Sequence, residues 1–220
     1  MPVVSIEEAR RILGADVLGP EEAEAAFGSV NGGKTAVIPF DLEALATAVR
    51  LGEMLVFRAA NLADATKLTI AHMIDAFPAA FDSKFLTKVG YQLRDEWGIS
   101  LEPLAATETC AAGWALVRKD ILSETRNLTY EAQDAVLQTY AESAGAPYRR
   151  RRAIEVVYDT VLYWKARGTP LLANTWDWTS SATIDGGYLN VGGFGDHGLQ
   201  LFSYSRAVRH GALGLCPTRP

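Results

Sequence analysis

Hydrophobic positions in the first three quarters of the chain recur mainly at helical spacing, and short apolar runs separate the helical segments. Ser5-Ile6-Glu7-Glu8 is a capping box, which predicts a helix that ends near Gly14. The same spacing predicts further helices over 20–27, 41–51, 69–77, 129–143 and 150–167. The apolar runs predict buried strands at 54–57 and 114–117.

The pattern changes after Gly168. Residues 174–220 hold 8 of the 19 glycines and only six charged residues, and helical periodicity ends there. Short runs at 188–191 and 199–202 lie between glycines, which is typical of short strands joined by loops. We therefore predict an α+β protein with a helix-rich region over 1–168 and a glycine-rich β and loop region over 169–220. The pattern leaves open whether both share one core.

Composition is that of a soluble folded protein, with 49% hydrophobic and 21% charged residues in 220. A balance of 21 basic against 26 acidic residues argues against a nucleic-acid binder that works through bulk charge. No apolar run approaches the roughly 20 residues of a membrane span, and the first residues do not resemble a signal peptide. We expect a cytoplasmic or virion-associated protein. The oligomeric state is not predicted.

Neither the arginine run nor the two cysteines predict a specific binding or catalytic function. Arg149 to Arg152 form the strongest charge run, and we interpret it as the solvated start of the last long helix, because no aromatic residues are interleaved with it. Cys110 and Cys216 are too few for a disulfide scaffold, so we expect two buried free thiols.

One segment matches the letters of a phosphate-binding loop, from Gly28 to Lys34-Thr35. A genuine loop follows a buried strand and opens a helix. Here a polar helix is predicted before it, and an extended segment with Pro39 follows it. Both flanks are the inverse of what nucleotide binding requires, so we do not assign that function.

Metal and cofactor sites are not predicted. His72, His197 and His210 include no pair at metal-ligand spacing, and we expect His72 to be a partly exposed helix residue. The aspartates of the tail, Asp177, Asp185 and Asp196, do not form the dense oxygen cluster that calcium needs.

The last 42 residues, from Thr179, use a restricted alphabet: they contain no Lys, Glu, Met or Trp and a single Gln, Gln200. Strands and turns disfavour Lys and Glu, which accounts for part of this deficit. A genetic explanation covers more of it. Randomising both adenines of an AAC codon reaches every residue type except Gln, Glu, Lys, Met and Trp.

The order of residues in the tail forms a spaced frame: Thr179-Ser180-Ser181, Gly186-Gly187, Asn190-Val191-Gly192-x-Phe194, Gly198-Leu199-x-Leu201, Arg209 and Leu213-Gly214-Leu215-Cys216. This frame resembles the C-terminal variable region of diversity-generating retroelement variable proteins. Residues 113–119 together with Gln133 resemble the helix-rich part upstream of it in that family. The closer match covers about 47 residues of the tail.

The resemblance implies a C-type-lectin-like fold of the formylglycine-generating-enzyme type, which displays hypervariable side chains on one face. It implies a non-enzymatic binding protein with a protein ligand, without a cofactor. The frame residues, with Trp176 and Trp178, are then scaffold. The candidate variable, ligand-binding positions are Thr183, Ile184, Tyr188, Gly193, Gly195, Asp196, His197, Phe202, Ser203, Tyr204, Ser205, Arg206, Ala207, Val208, His210, Gly211 and Ala212.

The sequence departs from the family pattern at two places. Gln200 falls outside the alphabet, and four residues follow Cys216. Two other functions stay open. One is an enzyme on the same fold that uses Cys216 with Cys110 as the second thiol, which predicts a reactive thiol of low pKa. The other is an interaction domain with a fixed partner, which predicts no diversity among sister copies.

Overall fold

The computed structural model describes residues 4–32, 37–81 and 98–220. Its α-helices are α1 (Ile6–Leu13), α2 (Pro20–Phe27), α3 (Leu42–Leu51), α4 (Ile70–Ala76), α5 (Pro103–Thr107), α6 (Tyr130–Ala144) and α7 (Ala153–Arg167). Its strands are β1 (Val17–Leu18), β2 (Glu53–Arg58), β3 (Gly113–Arg118), β4 (Arg149–Arg150), β5 (Trp176–Ala182), β6 (Tyr188–Gly195), β7 (Gly198–Tyr204), β8 (Leu213–Gly214) and β9 (Pro217–Arg219).

The predicted ends of α1 and α3 are confirmed, because local side-chain and backbone hydrogen bonds set them, whereas the last long helix begins three residues later than predicted. Ser5 accepts from the Glu8 backbone N–H and Glu8 bonds back to Ser5, which completes the capping box. Asp41 accepts from the Ala44 N–H at 2.8 Å, and Gly52 ends α3 in the left-handed conformation at φ 67°. The predicted strands at 54–57, 114–117, 188–191 and 199–202 lie within β2, β3, β6 and β7.

Two sheets confirm a mixed α+β architecture. The first sheet has the strand order β1-β2-β3-β9-β4, and the second has the order β7-β6-β5-β8. The residues after Cys216 form β9, which pairs antiparallel with β3 and β4. The tail therefore supplies one sheet of its own and one strand of the sheet built by the N-terminal region.

Helix α7 lies between the two sheets and contacts β1 and β2 on one side and β5 and β6 on the other. Ten of its residues, from Ala153 to Leu162, are buried. One hydrophobic cluster includes residues of the N-terminal region such as Phe57 and residues of the tail such as Leu199. The two regions predicted from the sequence thus share a core. None of the helices in the described segments is long and apolar enough to cross a membrane.

The interpretation of the arginine run as a solvated helix start is wrong. Arg149 and Arg150 form β4, and α7 begins only at Ala153. Arg150 is 6% exposed and Arg151 1% exposed. Arg151 is paired with Asp159 and Asp177, so its charge is compensated inside the protein rather than by water.

The segment that matches a phosphate-binding loop follows a helix, as predicted. Gly28 ends α2, and its N–H donates to the Glu24 carbonyl as the last bond of that helix. Ile38 then forms an extended bridge with Val4. Gly33 to Ala36, including Lys34, lie outside the described residues.

Candidate ligand-binding surface

The outer face of the second sheet carries an aromatic surface. Alternation along β6 and β7 buries Leu189, Val191, Leu199 and Leu201 in the core on the inner face. The opposite face presents Tyr188 across from Tyr204 in the cross-strand register. The same register aligns Trp178, Asn190 and Phe202 in one row, and Trp176, Gly192 and Gln200 in the next.

Four aromatic side chains form the centre of this surface, which we call the aromatic face: Trp176, Phe202, Tyr204 and His210. The rings of Phe202 and Tyr204 are stacked, with centroids 6.3 Å apart and an interplanar angle of 10°. Trp176 lies edge-on at 6.3 Å from both Phe202 and His210. The first three side chains are half-buried and His210 is exposed, so each offers a ring surface to solvent. Such rigid rings supply large contact area with little loss of conformational entropy.

Tyr130, the first residue of α6, packs on the same side of the sheet and covers its buried part beside the aromatic face. Its ring lies 5.2 Å from Trp178 and 4.5 Å from Tyr188, and the Arg150 guanidinium lies 3.9 Å from its centroid. The Tyr130 hydroxyl donates to the Thr179 carbonyl at 3.1 Å. Burial raises the pKa of Tyr130 to about 12, which keeps this donor protonated at neutral pH. Its position far upstream in sequence gave no signal of this role.

Arg206 extends the surface beyond the aromatic rings. Its guanidinium lies 4.7 Å from the Tyr188 centroid and hydrogen-bonds the Tyr188 hydroxyl. Its ion pair with Glu131 is exposed at 3.5 Å and therefore contributes little to stability.

The loop over 205–212 is fixed through its backbone. The Arg206 carbonyl accepts from the Tyr130 N–H at 3.1 Å, and the His210 carbonyl accepts from the Asn127 N–H at 3.2 Å. The Ala212 carbonyl accepts from the Trp176 N–H at 2.9 Å. Because these bonds use main-chain atoms of the loop, they do not depend on its side chains. Most of those side chains are exposed, namely Ser205, Arg206, Ala207 and His210, and Gly211 is exposed as well. Val208 and Ala212 are half-buried.

The turns at the two ends of β6 carry the remaining candidates. Ile184 is 69% exposed, and its N–H is held by the Glu102 carboxylate. Thr183 is buried instead, and its hydroxyl bonds Asp185 and Ser203 within the turn. Hydrogen bonds from Thr183 and Gly187 lower the pKa of Asp185. At the other end, Gly195, Asp196 and His197 are exposed between β6 and β7.

Gly193 belongs to the scaffold, not to the displayed positions, which corrects one of the candidates. Its φ is +58°, and a Cβ built there would lie 2.5 Å from the Trp176 ring and 2.8 Å from the Gln200 side-chain oxygen. Glycine alone fits this close approach without a shift of Trp176. Thr183, buried and bonded within its turn, is likewise not presented to solvent.

The apolar residues of the expected scaffold are buried, apart from Trp176, whereas Ser180, Gly186 and Arg209 of the same frame are exposed. Phe194, Leu199, Leu201, Leu213 and Trp178 are each at most 4% exposed. Trp176, expected in the core, is only half-buried and contributes to the aromatic face. Gln200 is half-buried in the same row.

The cysteines and the possible metal ligands bear on the alternative functions left open by the sequence. The described residues contain no group of three or more His, Cys, Asp or Glu that could hold a metal ion. Cys110 and Cys216 are both buried free thiols. Burial raises the pKa of the Cys216 thiol well above its usual value, which disfavours the reactive thiolate. Comparisons with protein-family models, curated proteins and solved structures give no match to this chain.

Proposed function

We propose that this protein is a ligand-binding protein of the retroelement-diversified type, in which exposed, exchangeable side chains are displayed on a C-type-lectin-like scaffold. The ligand is a protein surface. Binding itself requires no cofactor and no catalytic residue.

One observation carries the proposal. The residues of the restricted alphabet separate by position: the apolar frame is buried in the core, whereas most of the candidate variable side chains lie at the sheet surface and its loops. The loop that bears Arg206 and His210 is held by backbone hydrogen bonds, with one further bond from the Ala212 N–H to the His210 ring at 3.2 Å, so most of its side chains can change while its path stays the same. This combination is what a diversified binding surface requires.

The composition of the surface supports a protein ligand. Phe202, Tyr204 and Trp176 provide rigid aromatic contact area, and Arg206 adds a planar charged group. Small neighbours such as Ser205 and Ala207 leave room for a partner to approach. Aromatic residues and arginine carry most of the energy in protein interfaces, and small polar residues supply adaptable contacts in antibody combining sites.

A library experiment tests the proposal. His197, Ser205, Ala207, His210 and Gly211 are randomised with NNC codons, and a matched library randomises the buried frame residues Phe194, Leu199, Leu201 and Leu213. We expect most members of the first library to melt cooperatively near the temperature of the parent, and members selected against unrelated protein targets to bind them. The second library should be mostly unfolded. Equal loss of folding in both libraries would contradict the proposal.

The DNA beside the gene gives an independent test. A near-copy of codons 178–216 that differs at adenines, next to a reverse-transcriptase gene, is expected. Sister copies without diversity at the exposed positions would instead favour an interaction domain with a fixed partner.

A further inference from the structure

A cleft of about 430 Å³ lies beside the aromatic face and contains none of the candidate variable positions. Its walls are Lys119, Asp120 and Arg126 on one side and the segment 170–175 on the other. The volume falls within the range of roughly 300–1,000 Å³ that is usual for ligand pockets. The lining is more polar than apolar: Leu171 and Leu172 are buried, whereas Asn174 is exposed. Such a lining suits a charged or hydrogen-bonding ligand group rather than an apolar one.

The backbone around the cleft holds an unusual conformation. Leu172 has φ +53°, in the left-handed region that a branched side chain rarely adopts. Its carbonyl accepts from the Phe194 N–H at 3.1 Å, which ties this strained residue to the scaffold. A strained backbone conformation persists only where the surrounding structure holds it in place, and such residues are concentrated at ligand sites.

The charges in the cleft differ in how far they are compensated. The Lys119 ammonium is paired with Asp16 at 2.6 Å. Asp120 accepts from the Ile121 N–H and the Thr175 hydroxyl, both through Oδ1. Arg126 has no ion pair with any of the described residues, and its guanidinium donates to the Gly211 carbonyl at 3.3 Å. Arg126 is therefore the cation of the lining whose charge is not compensated by a described carboxylate, and its exposed guanidinium has further N–H donors for a ligand.

We infer that this cleft is a fixed subsite that binds a carboxylate through Arg126, and that the carboxylate is an acidic side chain of the protein ligand. A guanidinium matches a carboxylate through paired N–H donors. The Asp120 carboxylate in the same cleft offsets part of the Arg126 charge, so the net attraction for an anion is small. The cost of removing an anion from water rises more steeply with its charge than this attraction does, which favours a singly charged carboxylate over a doubly charged phosphate. Asn174 adds an amide at the opposite wall.

Two candidate variable positions, Gly195 and Gly211, contact the lining residues from outside the cleft and are called its rims, and this part of the inference rests on the proposed function. Gly211 accepts the Arg126 bond, and a Cβ built on it would meet nothing within 4 Å. A Cβ built on Gly195 would lie 3.8 Å from the Ala173 carbonyl oxygen, an ordinary contact. Each glycine therefore has room for a Cβ, and we expect a large side chain at either position to narrow the cleft. The present sequence has glycine at both positions, so its cleft is the widest that these two positions allow.

The first experiment measures carboxylate binding by NMR. Capped glutamate, with both backbone ends blocked, is titrated into the protein, and capped glutamine serves as the uncharged probe of the same shape. We expect saturable shifts of the Arg126 side chain and the Ala173 amide with glutamate, and binding weaker by about tenfold or more with glutamine. Arg126→Gln should remove the preference, whereas Arg50→Gln, at an exposed arginine on α3, should keep it. Equal response to both probes, or an unchanged response in Arg126→Gln, would overturn the inference.

A second pair of measurements identifies the source of the carboxylate and the role of the rims. The affinities of the peptide Gly-Ala-Glu-Ala-Gly and of succinate are compared. Tighter binding of the peptide supports a protein side chain as the source of the carboxylate, and tighter binding of succinate would overturn that source. Gly195→Tyr and Gly211→Tyr should weaken binding of capped glutamate, whereas Ala207→Tyr, elsewhere on the same surface, should not. Unchanged affinity in both rim variants would overturn control by the variable positions. The proposed function fails separately, through the library experiment.

Discussion

Arg151 and Asp177 form an ion pair inside the protein, with 2.8 Å between Nε and Oδ2 and at most 1% of either side chain exposed. Arg151 also donates to Asp159 at 3.0 Å, and Asp159 pairs with Arg58 of β2 at 2.6 Å. The second oxygen of Asp177 accepts from the Cys216 N–H at 2.9 Å. These ion pairs connect the first sheet, α7 and the second sheet. The charged groups are shielded from water and are stabilised by one another instead.

Removal of one partner from this network should be strongly destabilising. Arg151→Met leaves the Asp177 carboxylate buried and uncompensated, and we expect a loss of about 3–5 kcal/mol in the free energy of unfolding. Urea denaturation measures it, with Arg50→Met as the exposed control that should change stability by less than about 0.5 kcal/mol. The double variant Arg151→Met/Asp177→Leu should lose less than the sum of the single variants, because the orphaned charge is gone. A loss below about 1 kcal/mol in Arg151→Met would show that the network is solvated.

Stability should fall in acid partly through Glu155. Burial opposes its ionisation, but hydrogen bonds and charge from Arg149 and Arg58 outweigh burial and lower its pKa to about 2. A depressed folded-state pKa stabilises the protein above the unfolded value of about 4.3, and this contribution, about 3 kcal/mol, is lost as the pH falls towards 2. Unfolding measured from pH 6 to 2 should show a shallower decline in Glu155→Gln than in the parent. Parallel curves would contradict the assignment to Glu155.

Two glycines of the tail should respond oppositely to the same substitution. Gly193→Ser introduces a side chain at positive φ against the Trp176 ring and should destabilise by about 2–4 kcal/mol. Gly211→Ser meets open space and should change stability by less than about 0.5 kcal/mol. Thermal melts of both variants compare them directly. Similar melting temperatures would mean that the aromatic face repacks freely, and that Gly193 is a displayed position after all.

Scaffold and display positions should differ in what they affect. Phe194 is 4% exposed and packs against Trp164 at 5.7 Å, so Phe194→Ala should destabilise by about 3–5 kcal/mol. Exchange of Phe202, Tyr204 and His210 together for Ser, Asp and Asn should lose only about 1–2 kcal/mol, because these rings are half-buried or exposed. The same exchange should abolish binding of a ligand selected against the parent. If the triple variant unfolds as readily as Phe194→Ala, the aromatic face is core and the display hypothesis fails.

Thiol reactivity separates binding from cysteine catalysis. Burial raises the pKa of both Cys110 and Cys216. We therefore expect both thiols to resist alkylation by iodoacetamide in the native protein at pH 7 and to react only on unfolding. Mass spectrometry of the modified protein at increasing times measures this. Fast, selective modification of native Cys216 would favour an enzyme.

The sequence alone determined what depends on neighbours along the chain. The Ser5 capping box, the Asp41 cap and the stop at Gly52 are interactions within four residues, so composition at those positions specifies the ends of α1 and α3. The alternation at Leu199 and Leu201 likewise specifies which face of β7 is buried.

Only the tertiary structure decided which charged and polar residues are buried and which surfaces adjoin. The sequence predicts a solvated charge at Arg151, but the residue is buried because Asp177 of β5 lies beside it and compensates its charge. Tyr130 packs beside the aromatic face, and Arg126 faces the segment 170–175, although both precede the tail by many residues. Periodicity records the face on which a residue lies, but the free energy of burying a charge depends on partners that only folding brings near.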